Sequence, residues 1–244
     1  MTRTRLAAAA ALAVTGGAGV MLFALVAQPG AWWQGYVSEA GTAGRPYALV
    51  YRLGLVLLAA GVALLGRALP SRAGTGGETP ESMTRAGLFL LVAAVLAGTS
   101  GVVPCSDHCP LPPYEPTTPA DVVHTAASIL GMAVLAGAMA VTWFGAVRPA
   151  LRRLTAAALA LTVPLSGALG LTMLFAGRGP ASAQLERVVL VVAVSWLVGT
   201  ALLTASDGDG RPAGPPDRSG GRRSRATPSR TRSGRGPRGS PARR

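Results

Sequence analysis

Cys105, His108, Cys109 and His124 are the only cysteines and histidines in the chain. They fall in one stretch, VVPCSDHCPLPPYEPTTPADVVH, which runs from Val102 to His124 and also holds Asp107, Glu115 and Asp121. Three chemistries fit these residue types. Two cysteines facing an oxidising compartment pair as a disulfide. Two thiolates with His108 and His124 would give zinc four ligands. Asp121, His124 and Ser128 follow one another at helical spacing, which suggests a Ser–His–Asp arrangement. The disulfide is the expectation, because thiolates seldom persist in an oxidising space. The ring between Cys105 and Cys109 is small, so it restrains little of the unfolded chain. Its effect is local: it holds Asp107 and His108 in a tight turn, with prolines at 104, 110, 112, 113, 116 and 119 stiffening the flanks. No resident metal and no cofactor are expected. A haem reading is weaker still, since His108 lies in a loop and no attachment motif is present.

Thr118, Pro119 and Asp121 fit the N-cap, N1 and N3 positions of a capping box. Asp121 also suits the positive end of a helix dipole. Residues stacked along one helix seldom reach the in-line geometry of a catalytic triad. The plainer reading is a helix cap with a buried polar contact beneath it.

What must position this stretch is a set of apolar runs. Half of the 244 residues are apolar, only 14% are charged, and the mean hydropathy is +0.40. Six runs, near 6–27, 48–69, 86–103, 121–147, 154–176 and 187–205, are each long enough for the roughly 17–25 residues a membrane helix needs. A soluble core does not call for six such runs, and a barrel would show shorter alternating strands. The first run exceeds the ~7–15 residues of a signal-peptide core, so it reads as a span. Arg3 and Arg5, then Arg67, Arg72 and Arg85, then Arg148, Arg152 and Arg153, and finally the Arg-rich tail fall on one side. By the positive-inside rule that side is the cytoplasm. The expected fold is therefore an all-α membrane protein: a six-transmembrane-helix bundle of a bacterial plasma membrane, both termini cytoplasmic. Loops 28–47, 104–120 and 177–186 then face outward; they carry four of the seven acidic residues that precede the tail, and Asp121, at the outer start of the fourth run, makes a fifth on that side. Trp32, Trp33, Tyr36, Tyr47 and Tyr114 in these loops read as an interfacial aromatic belt.

Further polar residues crowd the same edge. Glu39 precedes the second run, Arg52 lies about one turn into it, and Glu186 and Arg187 open the sixth. An arginine at membrane depth is expected to snorkel or to pair with an acid, for which Glu39, Asp121 and Glu186 are the candidates beside Arg52. Trp196, near the middle of the sixth run, needs a partner for its indole N–H. These residues suggest a polar chamber lined by Glu39, Arg52, Asp107, His108, His124 and Glu186. The competing reading is that the same pairs merely fix helix order and depth. Pro164 predicts a kink in the fifth run. The hairpins share no residue pattern that would mark a transporter built from inverted repeats, and no run has an acid at its centre.

The tail from 206 on holds 11 arginines and three aspartates among Gly, Pro and Ser. It cannot bury enough apolar surface to fold and is expected to be disordered. Beside a bilayer its arginines are drawn to anionic headgroups, so membrane lipids rather than a specific nucleic acid are the expected partner.

Three strings carry a family resemblance: WWQGYVSEAGTAGRPYALVYRLGLVLLAAG, GTSGVVPCSDHCPLPPYEPTTPADVVHTAAS and LERVVLVVAVSWLVGTALL. They resemble a bacterial family catalogued as domain of unknown function nine-nine-eight, over about residues 10–204. Its most telling pieces are Ser38–Glu39, the Pro-Cys loop ending in His124, and Glu186–Arg187 with Trp196. The resemblance implies a small six-helix membrane protein and names no substrate. Binding of lipid or a partner through the outer loops is the leading expectation. A membrane enzyme acting on a lipid or envelope precursor, with His124 or Glu39 as acid/base, and a small-solute transporter are the alternatives.

Overall fold

The structure, a computed structural model, describes residues 2–70, 81–110 and 115–209. Tyr114, Arg72 and the tail from residue 210 on lie outside the described residues, whereas residues 206–209, expected to belong to the tail, continue the last helix. Six long α-helices account for most of the chain: α1 (Arg3–Ala27), α2 (Ala48–Ala68), α3 (Glu81–Val102), α4 (Pro119–Gly145), α5 (Pro149–Phe175) and α6 (Pro180–Asp209). A short 3₁₀ helix, Val37–Gly41, sits between α1 and α2. All six α-helices are long and apolar enough to cross a membrane, and there is no strand among the described residues.

The helix ends follow from local chemistry. Pro119, Pro149 and Pro180 each open a helix, where a missing N–H costs nothing. Gly177, at φ +69, stops α5 in the left-handed conformation that favours glycine. Three helices start five or more residues earlier than hydropathy suggests. α3 begins at Glu81 rather than 86, α5 at Pro149 rather than 154, and α6 at Pro180 rather than 187. Arg152, Arg153 and Glu186 are therefore helical residues. An apolar window ends at a charge, but the backbone hydrogen-bond ladder does not.

Each helix packs against its neighbours in the chain, and α6 closes back on α1. In lipid the apolar surface of a helix gives no drive to associate, so close packing and hydrogen bonds must supply it. Both are present. A Cβ at Gly17 would meet backbone atoms of Leu58 and Gly54 at 2.5 and 2.6 Å, so α1 and α2 touch backbone to backbone. Gly66 and Gly87 bring α2 and α3 equally close. Val14, Leu65, Leu90, Met139, Trp196 and Leu197 fill the centre. The Trp196 indole N–H donates to Thr155 Oγ1 at 3.0 Å, and neither residue is exposed. Pro164 lies inside α5, and the buried residues of that helix, Leu151, Thr155, Ala158 and Thr162, all precede it.

The two ends of the bundle differ. At one end Arg3 donates to the Ala68 carbonyl (3.2 Å) and Arg148 to the Leu203 carbonyl (2.6 Å). We call this the basic end. A groove of about 770 Å³ there is lined by Leu6, Arg67, Pro70, Arg85, Leu88 and Leu91. None of the predicted site residues lines it. Those residues gather at the other end, the cap end, formed by the α1–α2, α3–α4 and α5–α6 connections.

Candidate functional site

The cap begins with the 3₁₀ helix. Its first N–H groups have no partner within so short a turn. Two carboxylates from different parts of the chain supply them. Glu39 Oε1 accepts from Tyr36 N–H at 3.0 Å, and Glu186 Oε2, reaching over from α6, accepts from Val37 N–H at 2.6 Å. Arg187, next along α6, donates to the carbonyls of Gly35 (3.0 Å) and Trp32 (2.7 Å), and Gln184 donates to that of Trp33 (3.1 Å). The α1–α2 loop is thus clamped onto α6 through its backbone.

Arg178, in the α5–α6 connection, joins the three loops. Its Nη1 donates to Glu39 Oε1 (3.1 Å), while Nη2 donates to the Cys109 carbonyl (3.2 Å) and to Glu115 Oε2 (3.4 Å). Its guanidinium also lies over the Tyr36 ring, 5.5 Å from the centroid. Tyr36 is buried, not part of an exposed aromatic belt, and its hydroxyl donates to Ser182 Oγ at 3.1 Å. Burial pushes the Tyr36 phenol above its ordinary value, against the lowering effect of Ser182 and Arg178, so it remains a neutral donor. His108 sits at the rim, with Nδ1 3.6 Å from Glu39 Oε2 and Nε2 3.5 Å from Asp107 Oδ2. Asp107 in turn lies 3.7 Å from Arg45.

A second cluster lies between α3 and α4. Thr118, Pro119 and Asp121 occupy N-cap, N1 and N3 of α4. The Asp121 carboxylate accepts from Thr118 N–H and Oγ1 (both 2.7 Å) and from Ser106 N–H (2.6 Å) and Oγ (2.9 Å). It therefore pins the α3–α4 loop to α4. Its oxygens are occupied, and it does not orient His124. The His124 Nδ1 is 2.9 Å from the Val103 carbonyl oxygen. A carbonyl can only accept, so in the neutral ring Nδ1 carries the proton and Nε2 the lone pair. Ser128 Oγ donates to the His124 carbonyl at 2.9 Å, and Ser100 Oγ stands 2.8 Å from Ser128 Oγ and 3.3 Å from the ring. The Ser–His–Asp order suggested by the spacing is not formed. Cys105 and Cys109 are joined by a disulfide, with 5.0 Å between their Cα atoms, and both are buried.

Arg52 belongs to neither cluster. The expected acidic partner is replaced by the end of α3: Nε donates to the Gly101 carbonyl (3.0 Å) and Nη2 to that of Val102 (2.5 Å). Helix C-terminal carbonyls lack intrahelical donors and carry the negative end of the dipole, so they serve as well as a carboxylate. The single chamber thus resolves into parts. Glu39, Asp107, His108, Glu186 and Arg187 share the cap, Asp121 and His124 lie between α3 and α4, and Arg52 caps α3. Sequence reasoning passed over Arg178, Arg45, Ser100, Ser106 and Ser182. The signal available for Arg178 was its isolation: an arginine in loops that are otherwise poor in them needs an acid.

Residues 6–203 match the model of a family described as Protein of unknown function (DUF998), and the chain belongs to that family. No curated protein and no solved structure matches it.

Proposed function

From that membership and the cap geometry, we propose that the chain is a non-enzymatic binding protein of the bacterial plasma membrane that holds lipid at its outer face. The cap end faces outward in this reading, because the basic end carries Arg3, Arg5, Arg67, Arg85, Arg148, Arg152 and Arg153. The observation that carries the proposal is the presentation of two tryptophans. Trp32 and Trp33 are 42% and 53% exposed, although their carbonyls are fixed by Arg187 and Gln184. Their indoles meet edge to face, 6.1 Å apart. Amphipathic rings held at a set place at the end of a membrane bundle suit the headgroup layer. The engagement of the polar residues supports binding over acid/base catalysis. Glu39 is held by Arg178 and the Tyr36 N–H, and His124 by Val103 and Ser100. Native mass spectrometry of the protein extracted in mild detergent tests the reading. Retained phospholipid is expected on the wild type and lost from Trp32→Ala/Trp33→Ala at an unchanged unfolding midpoint. Absence of lipid from the wild type, or equal retention by the variant, overturns it.

A further inference from the structure

The Cys105–Cys109 disulfide and His124 form a unit that the lipid-binding reading does not use. Cys105, Cys109 and His124 are 2%, 6% and 6% exposed. One ligand atom from each lies within 4.8 Å of the others. The ring has its Nδ1 committed to the Val103 carbonyl, so its lone pair is on Nε2, where Ser100 Oγ at 3.5 Å is the competing polar contact. That is how a metal-binding histidine is ordinarily oriented: one nitrogen donates to a carbonyl or carboxylate while the other ligates.

Hydrogen bonds hold the loop in addition to the disulfide. Ser106 makes two hydrogen bonds to Asp121 on α4. The Cys109 carbonyl accepts from Arg178, and its N–H donates to the Ser106 carbonyl. Opening the S–S bond would leave both sulfurs beside the imidazole. Within the loop His108 and Cys109 take φ +65 and +47.

We propose that, once reduced, Cys105, Cys109 and His124 bind a zinc(II) ion, so that the cap carries a redox-controlled metal site. The balance is simple. A thiol reductant gives two electrons and is itself oxidised to a disulfide; with two protons, the S–S bond becomes two thiols. Zinc then displaces both thiol protons and takes two thiolates and the neutral imidazole, with a fourth position for water or a ligand. His108 is not a ligand: its side chain is 63% exposed and faces Glu39 and Asp107.

The test uses the full chain in lipid nanodiscs. The protein is reduced with a phosphine, desalted without oxygen and titrated with Co²⁺ as a spectroscopic stand-in, then with Zn²⁺ against a competing chelator. One Co²⁺ per chain is expected, with a thiolate-to-cobalt charge-transfer band and the d–d bands of a four-coordinate site. Zn²⁺ should displace it. Oxidised protein and Cys105→Ser/Cys109→Ser should bind none, His124→Ala should bind at least ~10-fold more weakly, and His108→Ala should match the wild type. Circular dichroism confirms that each variant is folded, and if His124→Ala is not, the cysteine pair alone decides. The proposal falls if the reduced wild type retains no metal. It falls equally if the oxidised protein, the cysteine pair or folded His124→Ala binds as well as the reduced wild type, or if His108→Ala abolishes binding.

Discussion

Replacing Arg178 by methionine should loosen the whole cap, although the residue sits in a connection only a few residues long. The change keeps much of the side-chain volume and removes the charge. Removing one member of a buried ion pair costs about 3–5 kcal/mol, because the other charge is left without a partner. Here Arg178 retains 26% and Glu39 12% of side-chain exposure, so solvent screening reduces the figure to about 2 kcal/mol. The lost charged hydrogen bond to the Cys109 carbonyl adds about 1 kcal/mol. The Glu115 pair, 42% exposed on that side, adds little. A total near 3 kcal/mol corresponds to a fall of roughly 6–12 °C in the unfolding midpoint of a chain this size. The assay is thermal unfolding in one detergent at fixed protein concentration. The double variant Arg178→Met/Glu39→Met removes the stranded carboxylate as well. It should be more stable than the sum of the single changes predicts, by about 1–2 kcal/mol. A midpoint for Arg178→Met within about 2 °C of wild type, or strict additivity in the cycle, would refute the claim that Arg178 joins the loops.

Other outcomes follow from the same geometry. Asp121→Asn should weaken the four bonds to Thr118 and Ser106, costing about 1–3 kcal/mol; hydrogen exchange should accelerate in residues 104–110 and the first turn of α4 while α6 is unaffected. Trp196→Phe strands the buried Thr155 hydroxyl and should cost about 1–3 kcal/mol, and adding Thr155→Val should recover part of it, as read from unfolding midpoints. Gly17→Val forces α1 away from α2, where even a Cβ would meet backbone at 2.5 Å; the yield of folded protein on size-exclusion chromatography should drop sharply, whereas Gly19→Ala, with open space around it, should behave as wild type.

The membrane bundle was legible because its signal is one-dimensional. Twenty or so apolar residues in a row mean a spanning helix whatever they pack against. The α4 start was equally local, since Thr118, Pro119 and Asp121 act within one turn of each other. The need of the Trp196 indole for a partner could be stated from the sequence, but Thr155 could not be named, because nothing local links α5 to α6. The cap was legible as a list of residues and not as an arrangement. Glu39, Glu186 and Arg187 could be singled out by their rarity at the edge of apolar runs. All three bind backbone groups of a 3₁₀ helix and its approach, whose existence no periodicity announces, and Glu39 pairs with Arg178 as well. Arg52 illustrates the same limit. A charge rule points it to an acid, whereas the end of a neighbouring helix offers carbonyls that meet the need without one. Asp121 and His124 share a helix face by spacing, but the α3–α4 loop captures the carboxylate first.

The most direct test of the account asks which side of the membrane the cap faces. In a background lacking both native cysteines, Ala181→Cys places a thiol at an exposed position at the cap end of α6, and Arg153→Cys does so at the basic end of α5. Intact cells are treated with a membrane-impermeant maleimide before and after permeabilisation. The account predicts that Ala181→Cys labels in intact cells and Arg153→Cys labels only after permeabilisation. The reverse pattern would put the cap in the reducing cytoplasm and contradict the outward lipid-binding face.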